Sequence, residues 1–145
     1  MQAECARLRA ELDAVRRCRY KALCVGVGAY SGGQSVFPNP AKDARDMAGA
    51  LTGLGYVVDG PVLDCTLPVL NAAVTAFVER IAEGDIVVVF LAGHGQQWNS
   101  RNYFLPVECS AAPALNGHTA FELQDMLIGP APSHPTQTQQ HYTPL

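Results

Sequence analysis

Apolar residues fall along this chain in two rhythms, and the switching between them lays out the fold. Residues 86 to 91, Ile-Val-Val-Val-Phe-Leu, form an unbroken apolar run rich in β-branched side chains. Such a run predicts a strand covered on both faces, as in a parallel sheet flanked by helices. Residues 22 to 28, Ala-Leu-Cys-Val-Gly-Val-Gly, predict a second strand of the same kind, and residues 56 to 63 a weaker one interrupted by Gly60-Pro61. Between the strands the spacing changes to three and four. Ala44, Met47, Ala48, Leu51 and Leu54 mark the inner face of a helix that starts at Asn39-Pro40, with Asn as cap and Pro in the first turn, and that Gly55 closes. Leu70, Ala73, Val74, Phe77 and Ile81 mark another, capped by Thr66 and ending near Gly84. Strand, helix, strand, helix, strand is the order that builds a parallel α/β sheet with right-handed crossovers.

The flanks read differently. Residues 1 to 19 predict a helix whose apolar stripe, Leu8, Leu12 and Val15, is narrow; it fits either the end of a coiled-coil-like segment or an amphipathic cap on the domain. After the third strand, residues 96 to 100 predict a turn or loose hairpin and residues 102 to 107 a short extended segment. Thr119 then caps a final short helix through Phe121, Leu123, Met126 and Leu127. From Gly129 the composition turns to Pro, Ser, Thr, Gln and His, so a disordered tail is expected there. The chain thus divides into an N-terminal helix (1–19), a domain (20–128) and a tail (129–145).

Composition narrows the classes of function. With 145 residues, 48% of them hydrophobic and 16% charged, one globular domain is expected. A net charge of -3 gives no electrostatic case for a nucleic-acid partner. No apolar run reaches the length of a membrane helix. Glu4, Arg7, Arg9, Glu11 and Asp13 exclude an apolar signal core, so a cytoplasmic protein is expected. Cys5, Cys18, Cys24, Cys65 and Cys109 are odd in number and contain no Cys-x-x-Cys pair, which predicts reduced thiols and neither a disulfide framework nor a zinc site. Arg16, Arg17, Arg19 and Lys21 read as a solvated approach to the first strand.

Candidate chemistry gathers where the third strand stops, at Ala92-Gly93-His94-Gly95. Small residues beside an imidazole leave the ring open to a ligand, and the carboxyl ends of parallel strands are where such sheets hold their sites. His94 is therefore either a functional base or a loop histidine among turn-forming glycines. Gly26-x-Gly28 does not make a dinucleotide site, because Ser31 stands where the third glycine belongs and no helix follows directly. Asp43 falls in the first turn of its helix, where the helix dipole alone favours a carboxylate.

Taken together, residues 87 to 95, Val-Val-Val-Phe-Leu-Ala-Gly-His-Gly, and residues 102 to 108, Asn-Tyr-Phe-Leu-Pro-Val-Glu, resemble the caspase-like cysteine peptidases. There a buried strand ends in Gly-His-Gly and a Tyr-Leu-Leu-Pro-x-Asp type segment follows. The upstream pieces agree in order: residues 23 to 30 are similar to the family's first strand, Asp43-Ala44 to its Asp-Ala pair, and residues 54 to 58 to its second strand. The likeness spans roughly residues 20 to 128 and is to metacaspases and paracaspases rather than true caspases. The basic residue that true caspases place before the Asp-Ala pair has no counterpart in residues 35 to 39.

The resemblance implies a caspase-like three-layer α/β sandwich, a mostly parallel sheet with helices on both faces. It implies thiol proteolysis of a peptide or protein substrate. His94 would be the general acid/base, the Gly95 N–H an oxyanion donor, and Asp43 the acid that receives a basic P1 side chain. Calcium enters only through the resemblance, with no site assignable. The family's nucleophile lies about 50 residues past the histidine, on the next strand, whereas here no cysteine follows Cys109 and no apolar strand follows Leu127. Cys109 itself is expected to be an unreactive thiol. The chain is thus expected to be truncated before its nucleophile, inactive alone, and left with an exposed sheet edge at the His94 strand that a partner, a second copy or its own tail must cover. The alternative is a non-catalytic, peptidase-like interaction module.

Overall fold

The backbone is organised around a seven-residue strand, Tyr20–Gly26, whose alternate side chains enter two separate cores. In the computed structural model, which describes residues 2–17, 19–109 and 118–127, the chain runs α1 (Gln2–Arg17), β1 (Tyr20–Gly26), α2 (Pro40–Gly53), β2 (Val57–Leu63), α3 (Leu67–Val78), β3 (Ile86–Ala92), β4 (Gly95–Trp98), β5 (Arg101–Phe104), β6 (Phe121–Glu122) and α4 (Leu123–Leu127). β1 is paired in parallel with β2 on one side and β3 on the other, giving the order β2-β1-β3. A smaller antiparallel sheet, β4-β5-β6, follows. The mixed α/β fold with a parallel sheet is the one the alternation of periods predicts.

Successive strand side chains point to opposite faces. Ala22 and Cys24 meet Ala48 and Leu51 of α2. Leu23, Val25 and Val27 meet Leu67, Leu70, Val74 and Phe77 of α3, together with Tyr103, Phe104 and Phe121 of the small sheet. That second core is the larger, and each fully buried side chain in it contributes about 1.5–3 kcal/mol. The layers therefore run α2, parallel sheet, then α3 with the small sheet.

Several local expectations change once the partners are in place. Asn39 and Thr66 stand at the cap positions of α2 and α3, but neither side chain makes a cap hydrogen bond. Instead the Leu67 N–H donates to Glu108 Oε1 at 2.8 Å, so a carboxylate 41 residues away satisfies the helix start. Leu54 is 73% exposed because α2 stops at Gly53, one residue short of where Leu54 would complete the inner face. Ile81 is likewise exposed because α3 stops at Val78. Phe121 lies in β6, paired with Phe104, and only from Leu123 does the chain turn helical. The loose hairpin is a tight one: β4 and β5 are joined by Asn99 and Ser100, both with positive φ (48° and 62°) as a two-residue turn matched to strand twist requires. On α1, Leu8 and Leu12 are about half exposed, so these two do not pack as a cap on the domain. The expected tail, 129–145, lies outside the described residues.

β3 departs most from its sequence pattern. Ile86 and Val87 are exposed and the rest of the strand is half-buried, because among the described residues β3 pairs only with β1 and its other edge is open. Both faces of the apolar run are packed as the pattern predicts, Val89 and Leu91 against the larger core and Val88 and Phe90 against the smaller, and what lies uncovered among the described residues is one edge.

At the entry to β3, the Asp85 carboxylate takes Lys21 Nζ at 2.6 Å and the Ala82 N–H at 2.8 Å. Chiefly the Lys21 hydrogen bond, then that from Ala82, hold its pKa below the ordinary carboxylate value. A carboxyl whose folded pKa is depressed adds stability above its unfolded pKa and loses it as pH falls through the folded value. Asp85→Asn is expected to lower the thermal midpoint at neutral pH and to flatten its decline toward about pH 3. Parallel acid limbs in variant and wild type would show that Asp85 carries none of the acid sensitivity.

Candidate active site

β3 runs into Gly93, and Gly93 is a glycine because of what crowds it. A Cβ there would lie 2.7 Å from the Tyr30 hydroxyl and 2.8 Å from the Val27 carbonyl oxygen. The backbone can therefore pass close under β1 and present His94 at the carboxyl end of the parallel sheet. His94 is half-buried and Gly95 exposed.

Three neighbours surround the imidazole. The ring centroid of Tyr30 lies 4.7 Å away and that of Phe37 4.2 Å away, tilted by 55° and 35°. His94 Nε2 sits 2.9 Å from the Ser35 carbonyl oxygen. A carbonyl only accepts, so Nε2 is the donor in this contact, and Nδ1 is the ring nitrogen left to accept or give up a proton. The 31–38 loop that supplies Ser35 and Phe37 is held by the Phe37 N–H donating to the Gly28 carbonyl at 2.9 Å. The segment that leads into the loop is held by Asp64, whose Oδ1 accepts the N–H groups of Gly28 and Ala29 at 2.8 and 2.9 Å.

The direction of the Gly95 N–H follows from strand register. Leu105 donates its N–H to the His94 carbonyl at 3.0 Å, which makes residues 94 and 105 a hydrogen-bonded pair. Antiparallel pairs alternate, so Gly95 and Phe104, the next pair, are not hydrogen-bonded to each other. The Gly95 N–H therefore points away from β5, toward an edge of β4 that no strand covers among the described residues. A Cβ on Gly95 would meet only the Tyr103 carbonyl oxygen, at an ordinary 3.6 Å. Packing within the chain accounts for Gly93 and leaves Gly95 unexplained.

Asp43 sits at the same end of the sheet, exposed on the first turn of α2, and makes neither a hydrogen bond nor an ion pair with His94. With Asp46, Met47, Ala50 and Phe90 it lines an open cleft of about 420 Å³, apolar on its floor and acidic on its rim. Lys42 pairs with Asp46 one helical turn along, and Asp43 has no ion-pair partner among the described residues. His94 and Gly95 are thus brought together, while Asp43 occupies a separate cleft against β3. Among the described residues no three His, Cys, Asp or Glu side chains converge to hold a metal ion.

The thiols are placed for packing. Cys24, Cys65 and Cys109 are all buried. Burial pushes Cys65 up to about 11 and raises Cys24, and it raises Cys109 with help from the Glu108 charge. A protonated, enclosed thiol is a poor nucleophile. With an alkylating reagent at mildly alkaline pH, Cys5 is expected to react at once and these three only after denaturant is added, as read by peptide mass mapping. Rapid labelling of Cys109 in the native protein would reverse this assignment.

Sequence reasoning missed Tyr30, Ser35, Phe37 and Asp64. Asp64 directly follows β2 and Tyr30 lies in the loop after β1, with no spacing in the sequence that marks either; the Ser35 contribution is a main-chain carbonyl, for which no sequence signal exists.

Comparison with known families places residues 19–130, well over half of the chain, in the caspase domain, a peptidase family. No curated protein matches the chain. Among the described residues no helix is long and apolar enough to cross a membrane.

Proposed function

The chain belongs to the caspase domain family of peptidases, and from that premise we propose that it is a metacaspase- or paracaspase-type domain for thiol endopeptidase chemistry on peptides with Arg or Lys at P1. The observation that carries this reading is the His94 environment: Nε2 committed to a carbonyl, Nδ1 left as the base, and an outward N–H on the next residue. Nδ1 would take the proton of a cysteine thiol as the sulfur adds to the scissile carbonyl. The Gly95 N–H would stabilise the resulting oxyanion, and the imidazolium would return the proton to the leaving amine. The Asp43 cleft suits a long basic side chain, with Phe90 and Met47 for its aliphatic stem and the unpaired carboxylate for its charge.

Following the family resemblance, the nucleophile is assigned to an extended segment that pairs along the edge of β3 left uncovered among the described residues, in cis or from a partner, and the burial of Cys24, Cys65 and Cys109 agrees with that placement. The chain by itself is then expected to bind such peptides, in a cytoplasmic setting, without hydrolysing them.

Binding can be followed through the Gly95 and His94 amide resonances as short blocked peptides ending in Arg, Lys or Asp amide are titrated in. Arg and Lys peptides are expected to shift both resonances, and Asp43→Asn is expected to weaken binding by about tenfold, the loss of one charge-assisted contact. Preference for the Asp peptide, or shifts confined to other parts of the chain, would remove this reading.

A further inference from the structure

The rung just beyond the β4–β5 ladder, between His94 and Leu105, is broken in an unusual way. A hydrogen-bonded antiparallel pair exchanges two bonds, N–H to carbonyl in each direction. Between residues 94 and 105 one is present, Leu105 N–H to the His94 carbonyl at 3.0 Å. In place of the other, the His94 N–H donates to the Tyr30 hydroxyl at 2.7 Å, and that hydroxyl donates to the Leu105 carbonyl at 3.2 Å. A phenol oxygen from the loop after β1 is wedged into the rung. It fits there because residue 93 has no side chain, whose Cβ would stand 2.7 Å from that same oxygen. The ring attached to it touches the imidazole.

We propose that Tyr30 is a positioning residue for His94, its hydroxyl holding the rung open and its ring face setting the imidazole so that Nε2 meets the Ser35 carbonyl and Nδ1 stays the basic nitrogen. Tyr30 touches His94 at two points, backbone and ring, and is 5% exposed, so its oxygen is shielded from competing water. Burial raises the phenol pKa, against the His94 N–H which lowers it, so the group remains a donor at neutral pH. Without the hydroxyl the rung can close directly, drawing the His94 backbone toward Leu105 and the ring away from Ser35. The inference rests on His94 being the base of the proposed chemistry, but its test reads the ring itself.

The test is long-range proton–nitrogen correlation on the full chain labelled with ¹⁵N-histidine, His94 being assigned by its loss in His94→Gln. Wild type is expected to show the Nε2–H tautomer with a slowly exchanging ring proton. Tyr30→Phe is expected to give mixed tautomers and at least tenfold faster exchange of that proton. A residue that merely packs would lower the melting temperature and leave the tautomer unchanged, and that result overturns the proposal. Should Tyr30→Phe fail to fold, ring-fluorinated tyrosine at position 30 keeps the shape and alters only the acidity of the hydroxyl. It is expected to shift the His94 amide proton, and an unmoved amide overturns the proposal. A tautomer shift together with failure of the peptide titration would uphold the positioning role and reject the peptidase reading, so the two are separable.

Discussion

Truncating Phe77 to alanine is expected to cost about 3–5 kcal/mol of folding free energy. Phe77 is on the inner face of α3 and 2% exposed, the largest fully buried side chain in the core that joins β1 to α3 and the small sheet. The core it belongs to draws side chains from β1, α3, β5 and β6, elements fixed by their own hydrogen bonds, so the space left by the ring cannot be filled by one side chain swinging in. Domains of this size are stable by only about 5–15 kcal/mol, so the loss is a large part of the whole. Urea unfolding should show a lower midpoint at an unchanged slope. A loss under about 1.5 kcal/mol, the range of well-tolerated swaps, would mean this core collapses around the gap and is not the rigid platform inferred here.

A methyl group at Gly26 should be nearly as damaging, by the opposite mechanism. The Cβ of Gly26→Ala would lie 2.3 Å from the Pro40 carbonyl oxygen, 2.8 Å from its carbon and 2.9 Å from the Ala44 Cβ. All three belong to the start of α2 and cannot rotate aside, so the helix must lift from the sheet. Overpacking of this kind costs about 1–3 kcal/mol or more. Because Asp43 rides on the same turn, Arg-peptide binding should weaken together with stability. Gly49→Ala is the matched control: it lies on the same helix with nothing within 4 Å of the added Cβ, and it should stabilise by about 0.5–1 kcal/mol. If Gly26→Ala were as benign as Gly49→Ala, the close approach of α2 to β1 would be wrong.

Gly26 also shows how a sequence signal can be sound and its meaning open. Gly26-x-Gly28 resembles a phosphate-binding turn in spacing, and the residues that follow argue against that use. Gly26 is there to let Pro40 and Ala44 approach, and Gly28 to let the Phe37 carbonyl pass, whose oxygen would be 2.3 Å from a Cβ. The strands and helices were legible because hydrophobic period is written locally, residue by residue. Their ends were less so. Leu54 and Ile81 continue the apolar spacing of α2 and α3 beyond the last helical turn, since periodicity does not register where backbone hydrogen bonds stop.

Of the candidate site, the strand-to-glycine junction singled out His94, and Gly95 and Asp43 entered through the resemblance to the family whose domain model matches residues 19–130. Their setting could not be proposed in this way. Glu108 capping α3 from 41 residues away, the edge of β3 left uncovered among the described residues and the Asp43 cleft against Phe90 all depend on elements distant in sequence.

By itself the sequence determined the order of the main strands and helices and the glycine-flanked histidine at the end of β3, because side-chain hydrophobicity and glycine placement act over a few neighbouring residues. The tertiary structure alone decided which nitrogen of His94 is left to accept or give up a proton, which way the Gly95 N–H points and what holds them there. Those outcomes rest on a Ser35 carbonyl and a Tyr30 hydroxyl reaching in from another loop, and on strand register, and main-chain groups are the same at every position until folding chooses their partners.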